Sequence, residues 1–190
     1  MDDSWKWFHC TTHTYGAWLY GDPRGFRTRH HREHVEGDYK NPPPKGKYDW
    51  KYQRSKKLLK QPPVVLSWEW RPAIGEALVE MFLRLEAQLL CLSMGGQHCH
   101  LLAKMPPGPV PKQWVGRAKK HAHFIANEQK WDGKLWAVGS KVIPVRDRSH
   151  QRNVFNYILN HVKEGAWIWN FQKYQPRPES PGTAVPGLSE

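Results

Sequence analysis

Two histidines, His98 and His100, flank Cys99 in the stretch QHCHLLAKM. Imidazole and thiolate are both metal ligands, so this triplet offers three donors, two, or none. Side chains alternate along a strand, so residues two apart share a face, with Cα atoms about 6.5–7 Å apart. On a strand His98 and His100 would converge on one ion, and Cys99 would turn the other way as a small apolar filler. The bland alternative is a polar face carrying two surface histidines. A second His-x-His, His121 and His123 in KKHAHFIAN, sits in a stretch of helical period. Residues two apart on a helix diverge by about 200°, so these two read as phosphate-facing or merely exposed. His30, His31 and His34 lie where no periodic pattern exists, and no role is assigned to them.

A second reactive group comes from FNYILNH. Phe155, Ile158, Leu159 and Val162 form the apolar stripe of a helix. Tyr157 and His161 are four residues apart and stack on one face beside it. Alone, such a tyrosine is an amphipathic residue at a core edge. With a histidine one turn away and a His-x-His strand elsewhere, it is a candidate nucleophile.

These groups need elements to hold them. An aromatic, Thr-rich strand is expected over 5–14. A helix is expected over 72–88, with Pro72 in its first turn and Ile74, Ala77, Leu78, Met81, Phe82, Leu85 and Leu89 on one face. LLCLSM and QHCHLLAKM read as two strands joined by a Gly-Gly turn. A second helix is expected over 111–128, with Trp114, Val115, Ala118, Ala122 and Ile125 inward. KLWAVGSKVIPV reads as a strand interrupted at Gly139. Ser149 is the expected N-cap of a third helix that Gly165 would end. This βαββαβ order is the split βαβ arrangement. The expected fold is therefore α+β: a ferredoxin-like antiparallel sheet with an added C-terminal helix carrying the tyrosine. Residues 1–171 form one domain, with a basic insertion at 21–63 that is partly helical near 29–36 and 53–60. Residues 172–190 form a Pro/Gly/Ser-rich tail expected to be disordered.

The chain has 190 residues, and 29 Lys+Arg against 17 Asp+Glu give a formal charge of +12. Excess cation draws polyanions through counterion release, and exposed rings among the 11 tryptophans would stack unpaired bases. No apolar run approaches the roughly 18 residues of a membrane span. The opening MDDSWKW does not read as a signal peptide, and three cysteines cannot all pair, so reduced thiols in a cytosol are expected. A structural zinc protein lacks support, because no CxxC spacing occurs.

His98-Cys99-His100 resembles the His–hydrophobic–His motif of the HUH endonuclease superfamily. Tyr157 in NYILNH resembles the single catalytic tyrosine of its insertion-sequence and REP-associated transposases, and the opening FHCTTHTYGAWLYGDPRGFRTRHHREHVEGDY is similar to theirs. The resemblance spans roughly residues 5–170. Two positions depart from the pattern. Cys99 replaces a bulky aliphatic, and His161 stands where the transposases carry glutamine; no third histidine follows the pair, as relaxases would require.

The resemblance implies a ferredoxin-like fold and a divalent ion, Mn²⁺ or Mg²⁺, held by His98, His100 and His161. Tyr157 would attack a DNA phosphodiester to give a 5′-phosphotyrosine and a free 3′-OH. The substrate implied is single-stranded or hairpin DNA. Arg24, Arg27, Arg29, Arg32, Lys112, Arg117, Lys119 and Lys120 are the expected phosphate contacts, and Trp167 and Trp169 either stack bases or close the core. A homodimer and a cytoplasmic, nucleoid-associated place in a bacterial cell go with this picture. The alternative is a domesticated, non-catalytic nucleic-acid-binding module of the same fold.

Overall fold

The computed structural model describes residues 5–24, 26 and 44–172. The first strand, β1 (Lys6–His13), alternates as expected: Phe8, Cys10 and Thr12 are buried on one face, and His9, Thr11 and His13 lie on the other. α1 (Asp49–Lys57) follows within the basic insertion and buries no residue. It begins at Asp49 rather than near 53. The helical segment expected near 29–36, and the tail from 173 onward, fall outside the described residues.

α2 (Trp70–Arg84) holds Pro72 in its first turn, where helix N–H groups lack intrahelical partners anyway. It stops before the expected residue 88. Glu86 adopts a left-handed φ of 59°, and the chain turns into β2 (Gln88–Met94). Leu85 and Leu89 are four apart and keep the helical spacing, yet Leu89 is buried as a strand residue. β3 (His98–Met105) returns antiparallel, pairing Met94 with Cys99 across the Gly95–Gly96 turn. A bulge between Leu89 and Cys91 turns Leu90 and Cys91 both toward the same side of the sheet. α3 (Val110–Glu128) packs on α2 through Ala118, Ala122 and Ala126, all with no exposed surface. Small residues there let the two backbones approach.

β4 (Lys141–Pro144) is shorter than the expected strand. Upstream of Gly139, which sits at φ 81°, only an isolated bridge joins Trp136 to Thr14. α4 (Arg148–Asn160) is capped by Asp147 rather than Ser149: the Asp147 carboxylate accepts from the His150 N–H at 2.7 Å. Aspartate reaches the orphan N–H of the first turn as serine would. A 3-10 turn, His161–Glu164, ends at Gly165 in the left-handed region. A Cβ at Gly165 would also collide with the Trp68 ring. The chain closes with β5 (Trp167–Asn170), which was not expected as a strand and pairs antiparallel with β2.

The sheet order is β4-β1-β3-β2-β5 with every neighbour antiparallel. The first four strands follow the ferredoxin-like order that the element sequence implied, and β5 extends it. α2 and α3 cover one face over Phe8, Cys10, Leu92, Cys99, Leu101 and Met105. α4 covers the other face over Cys91 and Leu102, through Val154 and Ile158. Trp169 is buried in the first core and Trp167 packs against it, so both rings close the core. Among the described residues, no helix is long and apolar enough to cross a membrane.

Gly75 shows how closely β5 meets α2. A Cβ there would collide with two atoms of the Trp167 ring, so the ring or the helix would have to shift. Gly75→Ala is expected to cost about 1–3 kcal/mol, the range for overpacking. For a chain of this size that lowers the melting temperature by roughly 2–4 °C per kcal/mol. A thermal melt equal to wild type would show that Trp167 does not seat on α2.

Candidate metal and tyrosine site

β3 places His98 and His100 on the α4 face and sends Cys99, with no exposed surface, into the opposite core. The cysteine is therefore no ligand in this geometry, and its thiol, buried as are those of Cys10 and Cys91, is pushed above its usual range by burial. His161 arrives from the other direction, as the first residue of the turn that follows α4. The ligand-capable nitrogens of His98, His100 and His161 lie within 4.8 Å of one another. Ring centroids are 5.1 Å apart for His98–His100, 5.4 Å for His98–His161 and 4.8 Å for His100–His161.

The donor set fits a divalent cation. His161 Nδ1 lies 2.9 Å from the Tyr157 carbonyl. A carbonyl only accepts, so Nδ1 carries the proton, and Nε2 is the ring atom that faces a ligand. His100 Nδ1 lies 3.1 Å from both His9 Nε2 and Thr11 Oγ1. A proton on Nδ1 donated to either partner leaves His100 Nε2 as the ligand atom. Outer partners of this kind set tautomer and ring orientation in metal sites. Burial first, and then the neighbouring histidines His98, His161, His9 and His13, push His100 down to about 2. His98 is lowered by burial and by His161. Both are neutral at physiological pH, the form that binds metal. Ser93, 1% exposed and directly across the ladder from His100, has a hydroxyl without a hydrogen-bond partner. A buried hydroxyl left in that state is costly, and it would suit a polar occupant at the trio.

Tyr157 stands one helical turn before His161 and is 49% exposed. Its ring centroid is 4.7 Å from His161, 5.3 Å from His100 and 6.0 Å from His9. Tyrosine and trio thus share one small volume, and Tyr157 and His100 line a cleft of about 1040 Å³ beside it.

His9, Thr11 and His13 are the residues that sequence reasoning passed over. They alternate along β1 and face His100 and His98 through the β1–β3 register, Thr11 opposite His100 and His13 opposite His98. The period-two signal was present, but the pairing of β1 with β3 is not written in local sequence. Burial is the main cause that lowers both His9 and His13 to about 4. His9→Ala and Thr11→Val are each expected to weaken divalent-metal binding by about 10- to 100-fold, the usual scale for lost outer-shell partners. His9→Gln, which keeps a polar atom near His100, should recover part of the loss. Titration calorimetry checks this; full affinity in His9→Ala would remove His9 from that role.

The expected phosphate contacts scatter. Arg24 is committed locally: its guanidinium meets the Asp22 carboxylate at 2.7 Å, donates to the Ala17 carbonyl and lies 4.3 Å over the Trp18 ring. Lys119 is buried, and its ammonium donates to the Ala137 and Gly139 carbonyls at 2.7 and 2.8 Å. It straps the loop before β4 and does not face solvent. Lys112, Arg117 and Lys120 are exposed, but α3 packs on the sheet face opposite the trio, so they do not converge on Tyr157. Arg27, Arg29 and Arg32 fall outside the described residues, as do His30, His31 and His34. His121 is neither phosphate-facing nor merely exposed: its ring contacts the Glu80 carboxylate at 2.9 Å.

No protein-family model matches the chain, and no curated protein matches it. Among solved structures, the chain is similar to a REP-associated tyrosine transposase bound to a REP hairpin. That likeness has 10% sequence identity and a TM-score of 0.43, covering 84% of this chain and 68% of the other.

Proposed function

We propose that this protein is a metal-dependent single-stranded DNA endonuclease and strand transferase that works through a covalent tyrosine intermediate. One observation carries this reading: three histidines able to hold a metal ion, with the Tyr157 ring within about one ring width of two of them. A bound divalent ion at His98, His100 and His161 would neutralise charge developing on phosphate oxygens. Three imidazoles suit a transition-metal cation such as Mn²⁺, which takes nitrogen ligands more readily than Mg²⁺ does.

The chain's own groups divide the remaining work. Tyr157 Oη attacks phosphorus in line and loses its proton. The bond from phosphorus to the 3′ oxygen breaks, and a 3′-OH leaves. A 5′-phosphotyrosine remains, and attack by another 3′-OH reverses the step, joining strands and freeing Tyr157. The phosphodiester bond energy is conserved, so no nucleotide cofactor is needed. His9 and Thr11 keep the His100 ring turned toward the trio. A single strand or hairpin end is the fitting substrate, because the phosphodiester must be exposed to reach a tyrosine beside a sheet.

A labelled single-stranded oligonucleotide with Mn²⁺ or Mg²⁺ tests the reading. The expected result is a protein–DNA adduct that survives denaturing electrophoresis. Binding without any adduct, across a library of hairpin sequences and both metals, would instead make the protein a non-catalytic DNA-binding module of the same fold.

A further inference from the structure

The cleft beside Tyr157 contains more than the reaction needs. Its walls are His9, Thr11, His13 and His100 on the sheet side and Trp18, Leu19, Tyr20, Arg24 and Phe26 on a loop. The end of α1 and the segment around β4 complete it with Leu58, Leu59, Val138, Lys141 and Ile143. Trp18 is 44% exposed, Tyr20 47%, and Val138 fully exposed. Large apolar side chains left in water and gathered in one concavity mark a binding site. Lys141 and Arg24, the latter paired with Asp22, line it, and among the described residues no carboxylate is in its walls.

Trp18 is tied to the metal-competent trio through one residue. His13 faces His98 in the β1–β3 register, and the His13 ring lies 6.2 Å, edge to face, from Trp18. Arg24 lies over the Trp18 ring and is itself held by the buried Asp22. The indole is therefore held at a set angle, with one face under the Arg24 guanidinium and the residue 44% exposed. A flat, positioned ring in an aromatic-lined cleft that also holds Lys141 suits a flat aromatic group on an anionic chain.

We propose that the cleft is a nucleobase pocket: an unpaired base next to the scissile phosphate stacks on Trp18, with Tyr20 completing the wall. This inference rests on the proposed function, since it takes the ligand to be a single DNA strand whose phosphate lies at Tyr157. It adds that strand binding depends on bases as well as charge, and that the base at one position beside the cut is unstacked from its neighbours. Base–aromatic stacking tolerates any base, so the pocket demands an unpaired base more than a particular one.

The test compares oligothymidylate of about 20 residues with a fully abasic strand of the same length and charge, by fluorescence anisotropy in EDTA at fixed salt. Wild type is expected to favour the base-bearing strand. Trp18→Ala should lose about 5- to 150-fold in affinity for it, the range for one stacked base, and bind the abasic strand as before. Trp18→Phe should keep most of the preference, and Trp50→Ala, which removes an exposed indole outside the cleft, should keep all of it. Photo-crosslinking of wild-type protein to 5-iododeoxyuridine oligonucleotides needs no variant, and the modified peptide should contain Trp18 or Tyr20.

Equal binding of both strands by wild type overturns the pocket and leaves the proposed nuclease standing. So does an unchanged preference in Trp18→Ala, or crosslinks found only elsewhere. Failure of wild type to bind either strand, both in EDTA and with Mn²⁺ added, overturns both.

Discussion

Tyr157→Phe is expected to abolish the covalent protein–DNA adduct while leaving the fold, metal affinity and strand affinity intact. The phenyl ring is retained and the residue is half exposed, so removing one oxygen opens no cavity. The ring contacts to His9, His100 and His161 depend on the aromatic face, which phenylalanine keeps. Loss of a covalent nucleophile lowers turnover by at least about three orders of magnitude in well-studied systems. Single-turnover cleavage of a labelled oligonucleotide, followed by denaturing electrophoresis, measures it. An adduct that persists at near wild-type rate in Tyr157→Phe would move the nucleophile elsewhere, with Tyr20 in the same cleft the first residue to replace.

His161→Ala is expected to reduce Mn²⁺ affinity by more than about 100-fold, beyond the range that loss of an outer-shell partner produces. The imidazole is 6% exposed and oriented by the Tyr157 carbonyl, so its nitrogen needs little reorganisation to join His98 and His100. His161→Gln should bind metal more weakly than wild type but move the balance toward Mg²⁺, because an amide oxygen is a harder donor than imidazole. Calorimetric titrations with both ions, alongside thermal melts to confirm folding, separate these outcomes. Unchanged Mn²⁺ affinity in His161→Ala would leave His98 and His100 as the ligands and remove the third.

Much of this architecture was legible in local sequence, for physical reasons that differ by element. β1, β3 and the helices carried strong periods, so their existence and facing residues were readable. Cys99 could be turned into the core by alternation alone. Boundaries were less legible where two periods coincide: Leu85 and Leu89 satisfy a helix although a left-handed Glu86 separates them. β5 was missed because four residues with two tryptophans carry no alternation that distinguishes a strand from an aromatic surface. Its identity comes from pairing with β2, about 75 residues upstream in the ladder of Leu92 with Trp169.

The cations illustrate a second limit. Lysine and arginine look alike in sequence whether they face water or bind carbonyls. Lys119 and Arg24 turned out to brace loops because carbonyls of the 137–139 segment and of Ala17 lie within reach. His121 found Glu80 only because α3 packs on α2.

By itself, the sequence determined that His98 and His100 share a face, that Tyr157 and His161 share another, and that strands and helices follow a βαββαβ order. These are consequences of the strand and helix repeats, which act over a few residues. Only the tertiary structure decided that the two faces meet. α4 lies on the histidine side of the sheet because Val154 and Ile158 bury against Cys91 and Leu102 there, while α2 and α3 fill the other side. The same pairing brought His9, Thr11 and His13 alongside the trio and opened the aromatic cleft beside it. Such contacts join residues some 60 to 90 positions apart, and burial of apolar surface selects them with no mark in the local pattern.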